Sequence, residues 1–229
     1  MAIELIIFDL DGTLVTAEID FQAMRNAIRD LLREHDFPTE VLPMNTTQDL
    51  LRSAFAYAGE RGSSPVEISK LRDEVYEEAV KYEWEGAKKA QIVPGALDTL
   101  QHLHHQQIKI AILTNDNRPV AEYLLKKHEL EPFVDRMVTR DEAPHMKPAT
   151  EGLELILDHF QKTPAQSLFI GDSIIDIMTA KKLKIPCIAR QSKLQSKEEL
   201  LAEGAIAVFP TLVPLIPFLQ EHGFLSPSK

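Results

Sequence analysis

The sequence has little of what marks a secreted or a membrane-spanning protein. Cys187 is its single cysteine, so no disulfide can form within the chain. No stretch approaches the ~20 consecutive apolar residues of a membrane span. The first apolar run begins at Leu5, which leaves no room for a secretory signal before it. These absences predict a cytoplasmic protein that has no membrane partner.

Positive charge is scarce as well. The chain has 25 lysine and arginine residues against 35 aspartate and glutamate residues, and its formal net charge is −10. This balance argues against binding to nucleic acid or to an anionic membrane surface. It also disfavours an anionic ligand, unless a bound metal ion and a lysine reverse the field locally. The oligomeric state stays open at this level.

What the sequence does contain is a set of apolar runs that stop abruptly at polar residues. The junctions are Phe8 to Asp9 and Asp11, Leu113 to Thr114 and Asn115, and Ile170 to Asp172, with Asp176 one helical turn further on. A run that is apolar at every position is typical of a parallel strand buried on both faces. The carboxyl ends of parallel strands lie at one edge of a sheet, and ligands bind outside that edge. We therefore expect these polar side chains to lie together there.

The carboxylates of this set predict a metal ion. Asp9, Asp11 and Asp172 would repel one another strongly at one sheet edge unless a cation lay among them. Lys147, just ahead of a helical pattern through Leu153, supplies one positive charge nearby. An all-oxygen cluster suits Mg²⁺ better than Zn²⁺, which prefers histidine and cysteine. We therefore expect Mg²⁺ as the cofactor.

The spacing of the apolar residues divides the chain into a segment of helices and a segment in which strands and helices alternate. Between the first strand and Ile108, the apolar residues show helical spacing and no strand pattern. From Ile108 onward strands and helices alternate, which is the pattern of βαβ units and a parallel sheet. The predicted strands are 108–113, 133–138, 168–170, 185–189 and 205–209, with helices over 120–127, from 149, and over 174–183.

The polar residues at the strand ends, together with Lys147, resemble in their order along the chain the motifs of the haloacid dehalogenase (HAD) superfamily of phosphohydrolases. The matching residues are Asp9-Leu10-Asp11-Gly12-Thr13, Thr114, Lys147 and Gly171-Asp172-Ser173-Ile174-Ile175-Asp176. The resemblance implies an α/β fold, with a Rossmann-like core of parallel sheet and flanking helices and a small all-α cap domain inserted after the first strand. It assigns residues 1–15 and 92–229 to the core and residues 16–91 to the cap.

The resemblance also implies roles for the catalytic and metal-binding residues. Asp9 would be the nucleophile that forms an aspartyl-phosphate, and Asp11 would act as the general acid and base. The side chains of Asp9 and Asp172, with the backbone carbonyl of Asp11, would hold Mg²⁺. Asp176 would be a further metal ligand or a neighbour of the ligands.

Three residues would bind the phosphoryl group. Thr114 and Lys147 would contact its oxygens, and Lys147 would also offset the charge of Asp9. Asn115 would offer its backbone N–H to the phosphate, or serve as a turn residue or helix cap. Asp116, where many relatives have a lysine or a small residue, is expected to cap the helix that begins near Arg118.

The predicted function is Mg²⁺-dependent hydrolysis of a small phosphorylated metabolite, similar to that of phosphoglycolate phosphatases. Dehalogenases and phosphonatases of the superfamily lack an aspartate at the position of Asp11. The presence of Asp11 favours phosphate-ester hydrolysis, because an alcohol leaving group needs an acid to protonate it. Two alternatives stay open. A sugar phosphomutase would carry a histidine where this chain has Phe21. A non-catalytic binding or regulatory domain on the same fold would not need the four residues Asp9, Asp11, Lys147 and Asp172.

Overall fold

A computed structural model of the protein describes residues 3–40, 42–43, 46–193 and 195–225. The chain divides into two units, one made of Met1–Ala17 with Ala90–Lys229 and the other of Glu18–Lys89. The smaller unit therefore begins and ends two residues inside the predicted segment 16–91. The difference arises because strand β2 (Val15–Thr16) pairs antiparallel with strand β3 (Gln91–Ile92), and this ribbon belongs to the larger unit.

The larger unit is built on a six-stranded sheet in which every neighbouring pair is parallel. Its strands are β1 (Leu5–Phe8), β4 (Lys109–Leu113), β5 (Arg136–Val138), β6 (Ser167–Gly171), β7 (Cys187–Arg190) and β8 (Ala207–Phe209), in the order β5-β4-β1-β6-β7-β8. All four residues of β1 are fully buried, as expected for a strand covered on both faces. The predicted α/β fold is confirmed.

Six helices of the described residues accompany this sheet. They are α4 (Ala96–His105), α5 (Arg118–Lys127), α6 (Glu151–Phe160), α7 (Ile174–Lys182), α8 (Lys197–Glu203) and α9 (Leu215–Glu221). Leu5 and Ile7 of β1 share one buried apolar cluster with Leu153 and Ile156 of α6 and with Ile177 of α7. Helices α8 and α9 are not among the predicted elements, because seven residues are too few to show an apolar period clearly.

The smaller unit consists, within the described residues, of α1 (Phe21–Glu34), α2 (Thr47–Glu60) and α3 (Pro65–Lys89). The side chains of Asp20 and Thr46 cap the first two helices by accepting backbone N–H groups. Met24, Ile28 and Leu32 form a buried stripe at i, i+4 spacing on α1. Over the part of the chain that the structure describes, no helix has the length and apolar character that a membrane crossing requires.

The sheet topology decides where a ligand can bind. After β1 the chain passes to β4 and β5 on one side of β1 and then returns to β6 on the other side. Connections on the two sides of β1 leave in opposite directions, and a crevice opens at the carboxyl ends of these strands. The loops that begin at Asp9, Thr114 and Asp172 all start from this edge.

Candidate active site

The centre of the site is an ammonium group held between two carboxylates. Asp9 continues the line of β1, where its N–H donates to the carbonyl of Ile170 at 2.8 Å. Lys147 Nζ lies 2.6 Å from Asp9 Oδ1 and 2.6 Å from Asp176 Oδ1. Lys147 is only 5% exposed. Burial lowers its pKa, but Asp176 and Asp9 outweigh this effect and raise the pKa above its ordinary value.

Asp9, Asp172 and Asp176 form a buried carboxylate cluster, in which each offers an oxygen within 4.8 Å of the others. Burial raises the pKa of Asp9 well above its ordinary value, with Lys147 opposing. Burial and the neighbouring Asp176 raise the pKa of Asp172 to about 7. Three carboxylates thus face one ammonium, and a divalent cation would relieve their repulsion. The donor set, which consists of carboxylate oxygens, fits Mg²⁺.

Asp176 ties the loop after β6 to Lys147. Its Oδ2 accepts from the N–H of Asp172 at 3.2 Å and from the N–H and the hydroxyl of Ser173 at 3.1 and 2.6 Å. The Ser173 hydroxyl accepts in turn from the N–H of Asp176, which completes a capping box at the start of α7. Asp176 thus binds Lys147 through one oxygen and the loop after β6 through the other.

Asp11 and Gly12 shape the loop that follows β1. The half-buried Asp11 accepts from the N–H of Ala17 at Oδ1, at 2.6 Å. Gly12 has a φ of +86°, and a Cβ there would lie 2.2 Å from Asp172 Oδ2. Glycine is therefore what allows this backbone to approach Asp172 so closely. Burial, and after it the charge of Asp116, raises the pKa of Asp11 well above its ordinary value.

The loop after β4 is braced from within and by the Lys147 segment. Thr114 Oγ1 donates to Asp116 Oδ2 at 3.0 Å and accepts from the Asp116 N–H at 3.1 Å. The Asn115 side chain accepts from the Lys147 N–H at 2.9 Å and donates to the Lys147 carbonyl at 3.3 Å. The predicted capping role of Asp116 is wrong. Asn117, which has the extended backbone of an N-cap, caps α5 instead and leaves Asp116 to bind Thr114.

Direct hydrogen bonds join some of the residues with predicted roles at this edge, whereas the side chain of Asp11 accepts from the Ala17 N–H. Lys147 joins Asp9, Asp176 and Asn115 through direct hydrogen bonds. Thr114 is buried, as Lys147 and the two aspartates are, but its hydroxyl is turned to Asp116.

Two arginines without a predicted role also lie at the site. Arg190, the last residue of β7, donates from Nη1 to the Gly12 carbonyl at 2.8 Å. Its charge opposes the rise in the Asp172 pKa that burial causes. Arg140, two residues after β5, donates from Nη1 to the Asn115 carbonyl at 3.1 Å. Their position at or just after strand ends of the same sheet is the one sequence signal that could have indicated them.

Comparison with known proteins identifies the family. A model of the haloacid dehalogenase-like hydrolases matches residues 6–190. The phosphoglycolate phosphatase of Pseudomonas fluorescens is 29% identical over 226 residues, which cover 95% of this chain and 80% of that protein. The pyrophosphatase PpaX of Anoxybacillus flavithermus is 28% identical over 79% of this chain and 80% of its own length.

A solved structure agrees in fold. A haloacid dehalogenase-like hydrolase from Bacteroides fragilis superposes with a TM-score of 0.68 at 25% identity, over 93% of this chain and 99% of that protein. The chain belongs to the haloacid dehalogenase-like hydrolase family, as the motifs predict. It is a hydrolase of that family, and its relatives include phosphoglycolate phosphatases.

Proposed function

We propose that the protein is a Mg²⁺-dependent phosphatase that hydrolyses a small phosphorylated metabolite through an aspartyl-phosphate on Asp9. The contact of Lys147 Nζ with Asp9 Oδ1, at 2.6 Å within the carboxylate cluster, carries this proposal. The ammonium offsets the charge of the nucleophile and can also meet phosphoryl oxygens. Phosphoryl transfer depends mainly on such positioning and charge neutralisation.

The reaction has two halves that use the same two carboxyl groups. In the first, an oxygen of Asp9 forms a bond to phosphorus, the ester P–O bond breaks, and Asp11 gives its proton to the leaving oxygen. A carboxyl group with a raised pKa is suited to that donation. In the second half, Asp11 accepts a proton from water as the water oxygen bonds to phosphorus and the bond to Asp9 breaks.

The oxygen donors of the site fit Mg²⁺. The side chains of Asp9 and Asp172 and the backbone carbonyl of Asp11 would hold it, while Asp176 fixes Lys147 and the Asp172 loop. Bound Mg²⁺ supplies charge neutralisation at the phosphoryl group.

Phosphoryl oxygens would be bound by Lys147, by the hydroxyl of Thr114 and by the backbone N–H of Asn115. Because a hydroxyl has one hydrogen, Thr114 must turn it from Asp116 to the phosphoryl group when it donates there.

A small substrate is in keeping with the phosphoglycolate phosphatase and the pyrophosphatase among the relatives. We also propose that the helical unit Glu18–Lys89 is the cap domain, that it contributes to substrate choice, and that the enzyme works in the cytoplasm. A phosphomutase is less favoured, because the apolar Phe21 stands where family mutases have a histidine.

Hydrolysis of p-nitrophenyl phosphate tests the proposed function. We expect turnover that requires Mg²⁺ and stops when a chelator removes the metal. A well-folded protein that released no p-nitrophenol over a wide range of Mg²⁺ concentrations would contradict the proposal.

Two aspartate variants separate proton transfer from metal binding. Asp11→Asn keeps its backbone carbonyl, so Mg²⁺ affinity should stay nearly normal while kcat on an alkyl phosphate falls roughly 10²–10⁴-fold. The loss should be smaller for p-nitrophenyl phosphate, whose leaving group hardly needs a proton. Asp172→Asn should need much more Mg²⁺ for half-activity and recover partly at high Mg²⁺. Recovery of Asp11→Asn instead would show that the roles are assigned the wrong way round.

A further inference from the structure

Asp116 is a buried carboxylate that the proposed reaction does not use. It is 9% exposed, and its Oδ2 accepts the hydrogen bond of the Thr114 hydroxyl at 3.0 Å. Its charge acts on Asp11. Burial raises the pKa of Asp116 itself, while the Thr114 hydroxyl and the charges of Arg140 and Lys147 oppose this rise. The carboxylate of Asp116 therefore lies within electrostatic reach of both the proposed acid and the proposed phosphate-binding ammonium.

The backbone around Asp116 is held in place. The N–H of Arg140 donates to the Asp116 carbonyl at 3.3 Å, and Arg140 Nη1 donates to the Asn115 carbonyl at 3.1 Å. On the other side, the Asn115 side chain exchanges two hydrogen bonds with the backbone of Lys147. Since the loop is fixed at both residues, the carboxylate cannot move away from the site together with its backbone.

We propose that Asp116 selects the leaving group by charge, so that the site favours phosphate esters of alcohols that carry a hydroxyl or ammonium group near the ester oxygen and disfavours those that carry a carboxylate there. The inference rests on the proposed function, in which Asp11 protonates the leaving oxygen. Asp116 lies one hydrogen bond from the Thr114 hydroxyl, which would contact a phosphoryl oxygen, so the charge of Asp116 also acts on the atoms attached to the leaving oxygen.

The chemistry of a buried carboxylate supports this choice. An ionised carboxylate accepts hydrogen bonds and donates none, so a substrate hydroxyl or ammonium can pair with Asp116. A second carboxylate would face the like charge of a buried carboxylate, and such a pair of like charges is costly. Glycolate is a leaving group of that second kind. The inference therefore separates this chain from phosphoglycolate phosphatases, to one of which it is 29% identical.

Three esters with two-carbon leaving groups test the inference. They are 2-phosphoglycolate, 2-hydroxyethyl phosphate and phosphoethanolamine, assayed with Mg²⁺. The assay is run at about pH 8, far above the ordinary pKa of a carboxyl group, because burial raises the pKa of Asp116. For the wild type we expect kcat/KM to be at least about tenfold higher for each of the last two than for 2-phosphoglycolate. Asp116→Asn is nearly isosteric and removes the charge, so these two ratios should fall towards one. Asp98→Asn, the same change at an exposed position of α4, should leave them unaltered.

The ratios distinguish charge selection from a merely structural role. If Asp116 only braced Thr114, Asp116→Asn would lower kcat/KM for all three esters by the same factor, which would overturn the inference. A wild-type preference for 2-phosphoglycolate would overturn it without any variant, so the test holds even if Asp116→Asn does not fold. Hydrolysis of p-nitrophenyl phosphate serves as the reference. Its absence in the wild type would refute the proposed function, whereas its presence without charge discrimination would refute this inference alone.

Discussion

Replacing Lys147 by methionine should make the stability of the protein depend strongly on pH. Methionine retains most of the aliphatic chain but lacks the ammonium that lies 2.6 Å from Asp9 Oδ1 and 2.6 Å from Asp176 Oδ1. These two carboxylates are 6% and 1% exposed. Without Lys147 they face each other and Asp172 in a buried cluster that has lost its central positive charge.

The size of the effect follows from the cost of an unpaired buried charge. Removing one partner of a buried ion pair costs about 3–5 kcal/mol, and we expect this full loss at about pH 8. Burial already raises the pKa of Asp9 and Lys147 opposes this rise, so loss of the ammonium raises the pKa of Asp9 further above the unfolded value. A raised carboxyl pKa means that the folded state binds more protons, so stability returns as the pH falls through the raised value. For a chain of this length, the loss corresponds to a Tm lower by roughly 6–20 °C.

Thermal unfolding at about pH 8 and about pH 5, without Mg²⁺, measures this difference. Lys162→Met is the matched control, because Lys162 Nζ pairs with Glu4 Oε2 at the surface, and the loss of such a pair costs ~1 kcal/mol or less. Mg²⁺ should restore part of the Tm of Lys147→Met at the higher pH, since a cation again neutralises the cluster. If Lys147→Met melts like the wild type at both pH values, the ammonium does not hold the cluster together.

Two further predictions concern Gly12 and Glu142. Gly12→Ala puts a Cβ 2.2 Å from Asp172 Oδ2 at a φ of +86°; we expect a loss of at least about 1–2 kcal/mol and a higher Mg²⁺ requirement. A metal titration that matches the wild type would rule out the close approach of the two loops. Burial raises the pKa of Glu142, but hydrogen bonds from Arg118 and Thr139 outweigh it and lower the pKa to about 2. A lowered carboxyl pKa stabilises the fold at pH values above the ordinary pKa of the group. This stabilisation is lost as the pH falls towards about 2. Because Glu142 is partly exposed, we expect Glu142→Gln to lower the free energy of unfolding by only roughly 1–2 kcal/mol at about pH 7, and by less at about pH 3. Urea unfolding measures both losses, and equal losses at the two pH values would contradict this prediction.

The location of the site at one edge of the sheet could be predicted, because the end of each buried strand is marked locally in the sequence. Strands buried on both faces are apolar throughout, so Asp9, Thr114 and Asp172 mark strand ends without knowledge of the tertiary structure. The parallel topology then brings these ends to one edge. The fold class and the neighbourhood of the polar residues follow from this reasoning.

Contacts that depend on side-chain direction could not be predicted in the same way. Sequence spacing does not indicate that Lys147 bridges Asp9 and Asp176, nor that Asp116 turns back to Thr114, because both contacts depend on loop conformation. The β2–β3 ribbon has two residues in each strand, which is too short for an alternating pattern.

The central claim, that Asp9 attacks phosphorus, is tested most directly by a rapid-quench measurement. The enzyme is mixed with substrate and Mg²⁺, stopped with acid during the first turnovers, and analysed by peptide mass spectrometry after trapping of acyl phosphates. We predict a modification at Asp9 that appears and decays at rates that account for phosphate release, and its loss together with turnover in a folded Asp9→Asn variant. Phosphate release at the wild-type rate by Asp9→Asn, or a modification that forms on another side chain at the catalytic rate, would contradict the account.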